Sequence, residues 1–121
     1  MPLGRLRVAG ESMVPALLPG DRVLVWRGLG PFRPPIRVGD LVALADPRDP
    51  ATRGSGGVPR ERLMVKRVAG RQGDEVILRG DNEAASTDSR HFGPVPASAI
   101  RGRVIYRYLP EDRRGLLGTR R

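Results

Sequence analysis

The chain has 121 residues, enough for one domain with one modest core but not for a separate cofactor lobe. With no Cys and a single His, His91, it excludes thiolate catalysis, disulfides, iron–sulfur clusters and the usual zinc sites, so no metal or cofactor is expected. Its 22 Lys+Arg against 13 Asp+Glu leave a net charge of +9, compatible with an anionic partner; yet Lys66 is the only Lys, and such an Arg excess also follows from composition bias alone.

Short β-branched runs punctuated by Gly, Pro and Asp dominate the chain. In order, RLRVA (5–9), RVLVW (22–26), DLVALA (40–45), RLMVKRVA (62–69), DEVILR (74–79) and GRVIYRY (102–108) predict strands. Turns are expected at 20–21, 39–40 and 73–74, where Gly precedes Asp, and at Gly80-Asp81-Asn82. Helix is scarce: Met13 to Leu18 predicts one turn, kept short by Pro15 and Pro19, and Pro96 to Ile100 another. The fold class expected is all-β, mainly antiparallel, barrel-like or folded on itself. Residues 27–39 read as an apolar contact loop or a Pro-stiffened connector, and 46–61 as a flexible Gly/Pro-rich loop. The catalytic or binding domain is expected over 1–109, with 110–121 a disordered basic tail. No apolar run approaches the ~20 residues that a bilayer span needs. The expectation is a soluble chain without a transmembrane anchor, cytoplasmic or peripheral at the cytoplasmic membrane.

Ser12 lies between a strand and a Pro-limited turn, where it reads as a turn cap or as an exposed nucleophile. Strand alternation sets Lys66 on one face with Met64 and Val68, so its amine is expected among apolar neighbours. Burial disfavours the charged form, and a Lys can become a neutral base where an Arg cannot. The third segment, RGDNEAASTDSRHFGPVP (79–96), gathers Ser86, Asp88, Ser89 and Arg90 in five positions, as a polar loop or as part of a site.

Taken together, GESMVPALLPGDRVLV, VKRVAGRQGDEV, RGDNEAASTDSRHFGPVP and the following IRGRV resemble the serine–lysine peptidases of the signal peptidase I family. That family is related in catalytic fold to LexA-type self-cleaving repressors. The resemblance implies Ser12 as nucleophile and Lys66 as general base, with Ser86 orienting the amine. Asp88 and Arg90 match a supporting ion pair, and Met13 and Pro15 shape the turn after the nucleophile. It implies an oxyanion hole built on the Ser12 backbone N–H; Gly10 stands where some members supply a hydroxyl. Val8, Gly10 and Met13 are the expected substrate contacts, with the 27–39 loop a further candidate wall. The partner implied is a protein with a cleavable N-terminal leader. The compact form further resembles the maturation proteases that trim the propeptide of nickel superoxide dismutase.

Three alternatives remain open in the sequence: a signal peptidase I whose anchor is missing, a LexA-type regulator, and a non-enzymatic basic β-domain that binds nucleic acid. The few aromatics, with only Tyr106 and Tyr108 on a common strand face, speak against dedicated nucleic-acid binding. His91 falls where the family tends to carry an aromatic residue and is expected at a packing or surface position rather than in a Ser-His-Asp triad.

Overall fold

The computed structural model describes residues 3–28, 35–47 and 63–117. Strand is the main regular structure among them: β1 (Leu3–Arg7), β2 (Arg22–Trp26), β3 (Leu41–Ala45), β4 (Leu63–Gln72), β5 (Glu75–Arg79), β6 (Val95–Pro96), β7 (Ile100–Leu109) and β8 (Gly115–Leu116). The single α-helix, α1, covers only Ser89–Phe92, and short 3-10 turns sit at Glu83–Ala85, Ala97–Ala99 and Glu111–Arg113. The six expected strands are all present, and 22–26 matches to the residue because its β-branched run is bounded by turn residues on both sides. The sheet runs β1-β2-β7-β3-β4-β5-β6 with β8 added against β7, and every pairing is antiparallel.

Strand β3 explains the architecture. Its five residues are apolar at both parities, so neither face can be left to water, and all five are buried. Leu41 and Ala43 join one core with Leu6, Val8, Met13, Val23, Val65 and Val104. Val42 and Leu44 join another with Val68, Val76, Leu78, Val95 and Ile100. Four antiparallel steps separate β1 from β4, so the two run in the same direction, and Leu6, Val8 and Val65 meet in the first core.

The expectation of a disordered tail is corrected over its described residues. Residues 110–117, expected to fray, are folded: β8 pairs β7 through Tyr106–Leu116 and Arg107–Gly115. The cause is electrostatic: Asp21, 2% exposed, accepts hydrogen bonds from Arg113 Nη1 and Arg107 Nη1 and from the Leu18 N–H. The polar stretch 79–96 is not simply a loop either. Asp88 caps α1, accepting from the Arg90 N–H, while its own N–H donates to His91 Nδ1. The expected mobile stretch 46–61 falls outside the described residues beyond Pro47, as do 29–34 of the 27–39 loop and 118–121 of the tail.

Candidate active site

Ser12 sits half-buried in a run of turns that follows β1. Its carbonyl accepts the Asn82 N–H at 2.8 Å, and Asn82 Nδ2 donates to the neighbouring Glu11 carbonyl at 3.1 Å. The Ser12 N–H makes no main-chain hydrogen bond among the described residues, which leaves it available as a donor. Met13, 1% exposed, anchors the turn in the core and takes the Asp81 N–H on its Sδ at 3.5 Å. The Val14–Pro15 peptide bond is cis.

Lys66 lies on β4 opposite Val42 of β3 and is 3% exposed. Its strand neighbours Met64 and Val68 pack into the second core, as alternation required. Burial lowers the amine's basicity; the negative charges of Asp88 and then Asp46 oppose that lowering without cancelling it. A deprotonated amine is therefore more favoured here than on the surface, and such a group accepts a proton from a hydroxyl.

Gly80 brings the hydroxyl-bearing loops together. A Cβ at this position would collide with Ser86 Oγ and stand 2.8 Å from the Ser12 carbonyl oxygen, so only glycine permits the approach. Ser86 Oγ donates to Asp88 Oδ2 at 3.0 Å, and the Gly80 N–H donates to the same oxygen at 2.9 Å. Asp88 is fully buried and meets Arg90 side-on, Nε to Oδ1 at 3.0 Å and Nη2 to Oδ2 at 3.3 Å. Burial alone would raise the Asp88 pKa; the hydrogen bonds from Arg90, the Gly80 N–H and Ser86 outweigh it and hold the carboxyl well below the usual range.

A folded-state pKa below the unfolded value of about 3.9 stabilises the fold above that value, and the contribution is lost as pH falls through it. Asp88→Asn is expected to cost about 2–3 kcal/mol near neutrality, by leaving Arg90 without its carboxylate. Acid denaturation followed by circular dichroism should then show a shallower loss of stability below pH ~5 in the variant than in the parent. Equal slopes would contradict the assignment.

A narrow cleft of about 30 Å³ opens between β1 and β4, lined by Leu6–Ala9, Ser12, Met13 and Leu63–Val65. Val8 and Met13, expected as substrate contacts, border it; Gly10 is exposed with φ +74 and does not. The main-chain directions can be read from neighbouring bonds. The Val8 N–H turns toward Asp21, on the β2 side, and Val68 exchanges hydrogen bonds with 39–40 beside β3. By alternation, Arg5 and Arg7 on β1, Ala9 just beyond it, and Leu63 and Val65 on β4 aim their N–H and C=O groups into the open space between the strands. Among the described residues, β1 pairs only with β2, and β5 joins β4 from Arg67 onward. The arrangement is two facing strand edges with a serine at one end.

Several site-forming residues escaped the sequence reading. Arg67, next to Lys66, forms a two-pronged ion pair with Asp81, Nε to Oδ1 and Nη2 to Oδ2 both at 2.8 Å, tying β4 to the 80–82 turn. The Lys-Arg dipeptide offered a signal, since period two sends Arg67 to the face opposite Lys66. Asp21 and Asn82 were read as turn residues, and nothing local marks their partners. His91 is about half exposed and serves the α1 cap, at the surface as expected.

Comparison with known proteins gives a consistent result. The family model for signal peptidase, peptidase S26, matches residues 2–82 and 75–109. The Arabidopsis thaliana mitochondrial ATP-independent inner membrane protease subunit 1a is 36% identical over 133 aligned positions, covering 91% of this chain and 73% of the relative. The human mitochondrial inner membrane protease subunit 1 is 30% identical, covering 94% and 74%. Signal peptidase I of Bacillus caldolyticus is 28% identical, covering 85% and 78%. These relatives overturn the expectation of a cytoplasmic protein, because proteins this similar are named for the inner membrane or as signal peptidase. No helix among the described residues is long and apolar enough to cross a membrane.

Proposed function

The chain belongs to the signal peptidase S26 family and is a protease of that family, and we propose that it is a serine endopeptidase with a Ser12–Lys66 dyad, removing an N-terminal leader from a partner protein at a membrane. The observation that carries the dyad is the burial of the chain's one lysine in an apolar core, one strand position from the cleft that Ser12 borders. In the proposed reaction, Lys66 Nζ takes the Ser12 hydroxyl proton as Oγ attacks the scissile carbonyl carbon. The Ser12 N–H stabilises the resulting oxyanion, and Lys66 passes its proton to the leaving amine nitrogen. Water then attacks the acyl ester carbon and gives a proton to Lys66; as the ester C–Oγ bond breaks, Lys66 returns that proton to Ser12 Oγ and the new carboxyl terminus departs. Ser86 and Asp88 hold the surroundings of the amine, with Arg90 locking Asp88.

The substrate would lie extended between β1 and β4, hydrogen-bonding to both free edges. A cleft volume near 30 Å³ suits a small side chain at the residue beside the scissile bond. The resemblance to nickel superoxide dismutase maturation proteases supplies one candidate leader, and the relative named signal peptidase I supplies another, a signal sequence.

Mass spectrometry of leader-bearing peptides incubated with the full chain tests the reading, one arm carrying the nickel superoxide dismutase propeptide and another a conventional signal sequence. Cleavage after a small residue is expected to persist in excess EDTA and to stay within about threefold of the parent in His91→Ala. Loss of activity in chelator with recovery on added zinc, or a collapse in His91→Ala, would contradict the dyad.

A further inference from the structure

We propose that the arginines flanking β1 recognise acidic side chains of the polypeptide substrate, an inference that rests on the peptidase reading and narrows its substrate class. Arg7 and Arg22 are direct cross-strand partners, both exposed. Because the Val8 N–H donates to Asp21, the Arg7–Arg22 pair is of the non-hydrogen-bonded kind, whose side chains lie closest. Like charges opposed in this way destabilise a sheet. With Arg5 they border an open hollow of about 510 Å³ that also includes Tyr108. On the other side of the strand, Arg5, Arg27 and Arg101 border a second hollow of about 250 Å³ that reaches Leu63 of β4. The Arg27 guanidinium lies over β1 itself, 2.7 Å from where a Cβ on Gly4 would stand.

Arg67 pairs with Asp81, Arg90 with Asp88, Arg107 and Arg113 with Asp21, Arg79 with Glu83 and Arg114 with Glu111. Among the described residues, no ion pair involves Arg5, Arg7, Arg22, Arg27 or Arg101. Elsewhere, Arg37, Arg71 and Arg103 also have no ion pair among the described residues, but they lie apart from β1, and the other described arginines are paired. Five guanidiniums without carboxylates thus line the strand whose free edge borders the Ser12 cleft, and both hollows share β1 residues with that cleft. A peptide added to this edge alternates its side chains between the two faces of the sheet, so an acidic residue on the arginine face meets a guanidinium fork. The concave, two-sided placement favours a chain lying along β1 over a flat bilayer touching one face.

Binding is measured by fluorescence anisotropy on the full-length Ser12→Ala protein, which does not turn substrate over. The probes are labelled peptides with a small residue at the cleavage position and pairs of Asp, or of isosteric Asn, placed on either side of it. In at least one placement the Asp peptide is expected to bind ~10-fold tighter than its Asn counterpart. That ratio should fall toward one in Arg7→Gln/Arg22→Gln, and in about 0.5 M NaCl. With Ser12 intact, the same ratio should appear in KM rather than kcat. The double variant is expected to melt at or above the parent temperature, since it relieves the Arg7–Arg22 repulsion; Arg27→Gln/Arg101→Gln gives a second reading of the ratio. Equal binding of Asp and Asn peptides at every placement, absence of binding by both, or a ratio that survives both double variants overturns the proposal. So does a ratio of one combined with loss of binding to phosphatidylserine vesicles in the variants, which assigns the arginines to a membrane. Ser12-dependent cleavage of the Asn peptide is scored separately, so the peptidase reading stands or falls on a different measurement.

Discussion

Lys66→Met is expected to abolish peptide cleavage, with a loss of at least about 10⁴-fold in kcat/KM, while making the fold more stable. The loss follows from removing the only group in the proposed dyad able to take the Ser12 proton. The gain follows from linkage. Burial lowers the Lys66 pKa in the folded chain, whereas the unfolded chain holds that proton up to an ordinary value near ~10.4. Folding at neutral pH therefore works against the charged amine, and the penalty fades as pH rises toward the ordinary value. Methionine fills similar space among Met64 and Val68 without a charge, which should raise stability by about 1 kcal/mol near pH 7 and flatten its rise with pH. Lys66→Arg should be equally inactive, since a guanidinium stays protonated at every accessible pH. Cleavage by either variant within tenfold of the parent would remove Lys66 from the mechanism.

Ser12→Ala should lose activity to the same extent, about 10⁴-fold or more, but with a different accompaniment. The bonds that fix this turn go to main-chain atoms, the Ser12 carbonyl from the Asn82 N–H and the Glu11 carbonyl from Asn82 Nδ2. Alanine keeps both, so the melting temperature should stay within the equivalent of about 0.5 kcal/mol. Peptide affinity should also survive, because it depends on the free edges of β1 and β4. A variant that neither binds nor folds would reveal a structural serine, and one that still cleaves would exclude it as nucleophile.

How much of this was legible beforehand can be judged from particular residues. Alternation over 62–69 was enough to place Lys66 with Met64 and Val68, because a strand's period of two fixes its faces without knowledge of its neighbours. The run at 40–45 gave a strand but not its central position; its burial on both faces became visible only once the sheet's two cores were seen. Helix α1 escaped because four residues, Ser-Arg-His-Phe, are too few to carry a periodicity, and what stabilises them is the Asp88 cap, a carboxylate that the same sequence offers equally to a loop. Strand β8 escaped for a stronger reason. Its docking depends on Arg113 reaching Asp21 across 92 positions, a pairing of which neither residue gives a local sign. The resemblance to a family supplied what periodicity could not, the proposal that Ser12, Lys66 and Ser86 act together, while the cytoplasmic location inferred from the absence of an apolar span was misleading. Hydropathy reports on spans, not on where a catalytic β-domain works.

A chain with one lysine permits an unusually clean test. Labelling with ¹³Cε-lysine gives a single side-chain resonance, that of Lys66, whose chemical shift can be followed across pH alongside kcat/KM. The expected result is a titration below the ordinary ~10.4, with cleavage rising through the same midpoint as the amine loses its proton. A resonance that titrates at the ordinary lysine value, or a midpoint that does not track activity, would contradict the buried neutral amine on which the proposed dyad depends.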